Sequence, residues 1–317
     1  MNNPIRPFLT HQSSLILDGG LATHLETLGC DLSDELWSAR LLFDHPDIIQ
    51  QAHLDYFWAG ADCAITASYQ ATIPGMMARR FSEAEAVILL QRAVALAIAA
   101  RDEFWSVPEN RTQRLKPIVA ASVGPYGAYL ADGSEYTGDY DLDEDGLLAW
   151  HRPRWQILAN TDADLLACET IPSFAEARAL LRLVDEKVGG ETAVYFSFSC
   201  RDGKHIHDGT PLADCVAHVA AHPQIVAVGI NCTAPRFVPS LIEVVRDMTD
   251  RPIIVYPNSG ETYDVENKCW LGESDPSEFG TISREWRKLG AALIGGCCRT
   301  GPDHIRQIRD RVQKMKN

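Results

Sequence analysis

Eight short apolar runs, each followed by a stretch with helical spacing, recur along the chain with no linker or low-complexity tract between them. The runs are Leu15 to Leu17, Asp62 to Thr66, Pro117 to Ser122, Asp164 to Cys168, Thr192 to Phe198, Ile225 to Cys232, Ile253 to Tyr256 and Ala291 to Cys297. Helical stretches are expected over Asp47 to Trp58, from Ser82 onward, over Leu147 to Asn160, from Ser173 to about Val188, over Pro211 to Ala221 and Val238 to Met248, from Asp275-Pro276, and from Pro302. After Ser82, the residues Val87, Leu90, Val94 and Ile98 recur every three or four positions, as one buried helix face requires. Ser82 with Glu85, and Ser173 with Glu176, have capping-box spacing, while Pro153 leaves the straightness of its helix open. Regular strand–helix alternation predicts a parallel sheet. Eight units predict a single (β/α)8 TIM barrel over residues 1–317, with a doubly wound open sheet as the alternative.

A barrel of this kind gathers its functional groups where the strands end. The strand ends read Asp18-Gly19-Gly20, Thr66-Ala67-Ser68, Ser122-Val123-Gly124, Glu169-Thr170, Ser199-Cys200, Asn231-Cys232, Pro257-Asn258-Ser259 and Cys297-Cys298. Adjacent side chains of a strand point to opposite faces, so Cys297 and Cys298 can converge only where the backbone bends, as Gly295 and Gly296 permit. With Cys232 at the matching strand end, these two form a three-thiolate set with a fourth tetrahedral position open, the layout of a catalytic zinc. The competing reading is buried, inert cysteine.

Composition narrows the rest. Nine cysteines, an odd number, and a start (Met1 to Thr10) without an apolar leader argue against a secreted disulfide framework and for reduced thiols in the cytoplasm. A formal charge of -14 argues against nucleic-acid binding. The longest strongly apolar stretch, around Ala93 to Ala100, falls far short of the ~20 residues that cross a bilayer. A small-molecule partner is expected, and with no appended arm visible past Asn317, a monomer.

These residues also carry a resemblance. Ile-Leu-Asp-Gly-Gly near the start, Ser-Val-Gly-Pro-Tyr-Gly-Ala-Tyr-Leu-Ala-Asp-Gly-Ser-Glu-Tyr in the middle, then Cys-Glu-Thr, Gly-Ile-Asn-Cys, Tyr-Pro-Asn-Ser-Gly and Gly-Gly-Cys-Cys-Arg-Thr-Gly-Pro-Asp-His-Ile together resemble the homocysteine S-methyltransferase family, in its S-methylmethionine-using branch. The resemblance spans nearly the whole chain. It implies a zinc barrel with one Zn2+ per chain on Cys232, Cys297 and Cys298. It also implies methyl transfer from a sulfonium, S-methylmethionine or S-adenosylmethionine, to the zinc-bound thiolate of homocysteine, giving methionine. Asp18, Gly19, Thr66, Glu169 and Asn231 match homocysteine-binding positions. Asp18 and Glu169 suit an ammonium, while the backbone after Asp18 and at Thr66 could offer N–H donors to a carboxylate.

Each of these residues has a plainer role open to it. Asp18 can be a turn residue, Glu169 a helix-dipole acid ahead of Pro172, and Asn231 and Asn258 turn formers. His24, His53, His205 and His207 have no ligand spacing with the cysteines. The acidic loop Tyr126 to Asp145 is either a solvated face or a cover in which Tyr129, Glu135 and Tyr136 meet the donor's cation. Selenium acceptors or a betaine-type donor remain open within the family. Outside it stand a structural-zinc protein and a thiol redox device using a Cys297–Cys298 disulfide.

Overall fold

In the computed structural model, which describes residues 3–32, 37–187, 190–264, 269–271 and 274–313, eight parallel strands form one sheet. They are β1 (Leu15–Ile16), β2 (Cys63–Ile65), β3 (Ile118–Val123), β4 (Leu165–Ile171), β5 (Val194–Phe198), β6 (Ile225–Asn231), β7 (Ile253–Tyr256) and β8 (Ala291–Ile294). Their order is β1-β8-β7-β6-β5-β4-β3-β2, and a parallel bridge between Leu17 and Cys63 links the two ends. An open doubly wound sheet has no such closing contact, so the barrel is the architecture.

The principal helices after each strand are α1 (Pro46–Ala59), α2 (Glu83–Ser106), α3 (Glu144–Ala159), α4 (Phe174–Asp185), α5 (Leu212–Ala220), α6 (Val238–Met248), α7 (Pro276–Leu289) and α8 (Pro302–Gln313). None of the described helices is long and apolar enough to cross a membrane.

The strands are apolar at almost every position because both faces are covered. Leu15, Leu17, Cys63, Ala120, Leu165, Ala167, Tyr195, Ile254 and Leu293 fill the barrel interior, together with Ile5 and Phe8. The alternate residues Ile16, Ala64, Ala121, Leu166, Phe196, Val228 and Ile294 belong to the layer between sheet and helices. At the start of β2, the fully buried Asp62 accepts from Ile16 N (3.1 Å) and Gln12 Nε2 (2.7 Å) and pairs with Arg309 (2.8 Å) and Arg114 (3.3 Å). Its charge is thereby matched, as a buried carboxylate requires.

Of the two expected capping boxes, only one forms. Ser82 accepts from Glu85 N, and Glu85 accepts from Ser82 N at 2.8 Å, at the head of α2. Ser82→Ala should therefore lower stability by about 1 kcal/mol, read as a small drop in the thermal midpoint with activity intact. Ser173 makes no side-chain cap; Glu176 is instead fully buried, accepting from Tyr126 N (2.6 Å) and meeting His151 (2.7 Å). The expected helix end at Val188 lies outside the described residues, and α4 ends at Asp185. α3 begins earlier than Leu147, capped by Asp143, and continues through Pro153.

Candidate active site

At the rim where the strands end, the Sγ atoms of Cys232, Cys297 and Cys298 lie within 4.8 Å of one another. Cys232 follows β6 directly in the left-handed region (φ 46°), with its N–H on Tyr256 O. Past β8, Cys297 N donates to Pro257 O (2.8 Å), Cys298 O accepts from Ser259 N (3.0 Å), and Arg299 turns the chain at φ 65°. Left-handed backbone at two non-glycine residues of one site is strain of the kind functional centres hold. Gly295 and Gly296 are not at positive φ. Both allow a close approach: a Cβ on Gly296 would sit 2.3 Å from Thr300 Oγ1, and one on Gly295 2.6 Å from Leu17 Cβ.

The donor set fits a metal ion. Sulfurs about 2.3 Å from a tetrahedral centre are roughly 3.8 Å apart, and Cys232 Sγ is 3.8 Å from Cys298 Sγ. Hydrogen bonds from Cys232 and Cys297 draw the Cys298 thiol well below its ordinary range, while Cys232 and Cys297 are held above theirs, so the three share their protons unequally. No histidine joins the metal-binding group among the described residues.

Beside the sulfurs lies a cavity of about 270 Å³, lined among others by Gly19, Thr66, Tyr69, Glu135, Tyr136, Glu169, Thr170 and Tyr256. Glu169 sits on β4, which runs three residues past its expected end at Cys168 and carries a register shift between Cys168 and Ile171. Its Oε1 accepts from Ser122 Oγ and its Oε2 from Tyr256 Oη at 3.0 Å. Burial raises its carboxyl to about 7, against the pull of those two hydroxyls.

Asp18 and Asn231 are buried and stand outside the cavity lining. Asp18 Oδ2 accepts from Ile65 N (2.8 Å) while Oδ1 has no partner among the described residues, and burial holds the acid well above its usual range. Asn231 grips Thr170, which is left-handed at φ 59°. Its Oδ1 accepts from Thr170 N (2.8 Å) and Nδ2 donates to Thr170 Oγ1 (2.7 Å), so it aims the neighbouring Glu169. The N–H of Thr66 is taken by Ala120 O, whereas Gly19 N and Ala67 N have no partner among the described residues. Those two free donors are where a ligand carboxylate could be received.

Sequence reasoning singled out neither Ser122 nor Tyr256 as a partner of Glu169. Both are strand-end residues, and that position was the available signal. Of the acidic loop, Asp132, Asp139 and Asp141 are solvated, while the turn Ser134–Tyr136 brings Glu135 and Tyr136 into the cavity. Tyr129 packs on Tyr126 and Trp150 instead.

Residues 15–312 match the profile of the family described as "Homocysteine S-methyltransferase". The chain is 54% identical over 314 residues, 99% of both chains, to the homocysteine S-methyltransferase YbgG of Bacillus subtilis. The homocysteine methyltransferase MmuM from Escherichia coli superposes at a TM-score of 0.88 in its oxidized form and 0.86 in its metallated form. In both comparisons the identity is 45%, covering 98% of this chain and 100% of the other. With the barrel, the rim cysteines and near-complete coverage in agreement, the chain belongs to the homocysteine S-methyltransferase family of enzymes.

Proposed function

We propose that Cys232, Cys297 and Cys298 hold one zinc ion and that the enzyme methylates the thiolate of L-homocysteine with a sulfonium donor, S-methylmethionine in preference to S-adenosylmethionine. The 3.8 Å separation of Cys232 Sγ and Cys298 Sγ, the edge of a tetrahedral zinc–sulfur site, carries the reading. The metallated form of the Escherichia coli relative supports it. A zinc ion bound there would take homocysteine's sulfur as fourth ligand and keep it deprotonated, where the free thiol is only a few per cent thiolate at pH 7.

The chain's own groups orient the acceptor. Glu169, held by Ser122 and Tyr256, receives the ammonium, and the free N–H groups of Gly19 and Ala67 receive the carboxylate. The thiolate's lone pair then forms the new S–C bond to the methyl carbon. The electron pair of the old bond stays on the donor sulfur, which leaves as a neutral thioether. This cavity, of about 270 Å³, has to take acceptor and donor together and lies at the small end of the roughly 300–1,000 Å³ typical of ligand sites, which suits two substrates each the size of an amino acid.

Zinc X-ray absorption tests the centre. The resting enzyme should give three sulfurs and one lighter ligand, and homocysteine should convert this to four sulfurs at about 2.3 Å. An unchanged shell refutes direct coordination of the acceptor. Rates with S-methylmethionine, S-adenosylmethionine and betaine then rank the donors: a higher kcat/KM for S-adenosylmethionine than for S-methylmethionine overturns the preference, and a higher kcat/KM for betaine than for either sulfonium overturns the sulfonium reading.

A further inference from the structure

Glu135, Tyr69 and Tyr136 line the cavity and are not among the groups assigned above to the acceptor. Glu135 Oε2 is buried without a hydrogen-bond partner among the described residues. Burial also holds its carboxyl above the ordinary range. A carboxylate oxygen buried without a partner is costly, and its natural complement is a ligand that brings a positive charge.

The surrounding structure fixes both walls of this part of the cavity. Gly127 lies so close beneath the turn that a Cβ there would be 2.4 Å from Glu135 N. Tyr126 N is anchored on the buried Glu176, which also holds His151. Across from it, the buried Arg154 guanidinium donates to Gly124 O and to Tyr69 O (3.3 Å). Tyr136 Oη is 3.9 Å from Cys232 Sγ, so this wall is next to the metal-binding sulfurs.

We propose that Glu135, with the rings of Tyr69 and Tyr136, is the recognition site for the positive charge of the methyl donor, a trialkylsulfonium. A carboxylate and aromatic rings are the groups that bind such a cation. The assignment rests on the sulfonium reading above. The donor sulfur carries its full charge when bound and loses it as the methyl leaves, so Glu135 favours the bound donor more than the transition state. Its loss therefore raises the donor KM and does not lower kcat, and the neutral thioether product is released from the same contact.

The test is Glu135→Gln in the metal-loaded enzyme. The substitution removes no internal hydrogen bond of Oε2, and metal content and the homocysteine KM should be unchanged. The donor KM and the calorimetric Kd for S-methylmethionine should rise about ten- to hundredfold, with kcat equal or higher. The control is 2-amino-5-methylhexanoate, the uncharged carbon isostere of S-methylmethionine, whose Kd should change less than about twofold. Unchanged S-methylmethionine affinity, or an equal loss for the charged and uncharged ligands, overturns the assignment while leaving the sulfonium reading in place. A wild-type enzyme that does not bind S-methylmethionine at all overturns both.

Discussion

Cys298→Ala should lose the metal and methyl transfer together while the barrel stays folded. In the proposed centre three sulfurs would supply the protein's share of a four-coordinate site, and two would hold zinc far more weakly. Activity should fall by more than the roughly thirtyfold that the thiol's own ionisation at pH 7 explains, because the acceptor sulfur also loses its position. Folding should survive because Cys298 is only half-buried and at the rim, beyond the apolar layers inside and outside the sheet. Its thermal midpoint should match that of the chelated wild-type enzyme, since bound metal contributes stability by mass action. Cys215→Ala is the control: this buried thiol sits on α5 in the helix–sheet layer, and its loss should leave the metal in place. Stoichiometric metal in Cys298→Ala sinks the three-thiolate assignment, and unfolding of the wild-type protein on chelation would favour a structural ion.

The barrel and its sulfur centre were legible because each rests on a local pattern. Strands buried on both faces read as short apolar runs, and Gly-Gly-Cys-Cys with Asn-Cys marked two strand ends that the closed sheet brings together. What escaped was set by contacts distant in sequence. At the register shift that carries Glu169, Asn231 holds the left-handed Thr170 from 61 residues further along the chain. Asn231 thus acts on the site from behind its wall. Ser173 and Glu176 had the spacing of a cap, yet Tyr126 N and His151 claim the carboxylate. The segment at Thr66 was expected to offer N–H donors; the N–H of Thr66 itself goes to Ala120 of the neighbouring strand, and the donor left free there among the described residues is that of Ala67. In each case tertiary contact overrides a local rule, and most of these cases lie at the functional rim, where such conflicts are expected.

Glu169→Gln should make the protein more stable and less active. The carboxyl releases its proton near 7 in the folded protein, against an ordinary 4.5. The folded pKa of this acid is raised, so its ionisation opposes folding. Below pH 4.5 both states are protonated and nothing is lost; between 4.5 and 7 the unfolded chain ionises first; above 7 the cost is complete, about 3 kcal/mol. Glutamine keeps the size and an acceptor for Ser122 or Tyr256 but no charge to desolvate. The variant should therefore gain about 1–3 kcal/mol at pH 8, and that gain should fade toward pH 4.5. Urea unfolding of both proteins at pH 8 and pH 5 measures it, and an equal gain at the two values would assign the effect to packing and not to charge. The functional loss is the counterpart. Without the carboxylate, homocysteine's ammonium loses a charge-assisted contact of roughly 1.5–3 kcal/mol, a ten- to hundredfold fall in acceptor kcat/KM. The metal should remain bound. 3-Mercaptopropionate, which has no amino group, should react equally well with both proteins. The wild-type preference for homocysteine over it should also weaken as pH falls below about 7, where Glu169 takes up its proton, while the variant's preference stays flat. Equal losses for the two thiols would assign Glu169 to structure or to the donor.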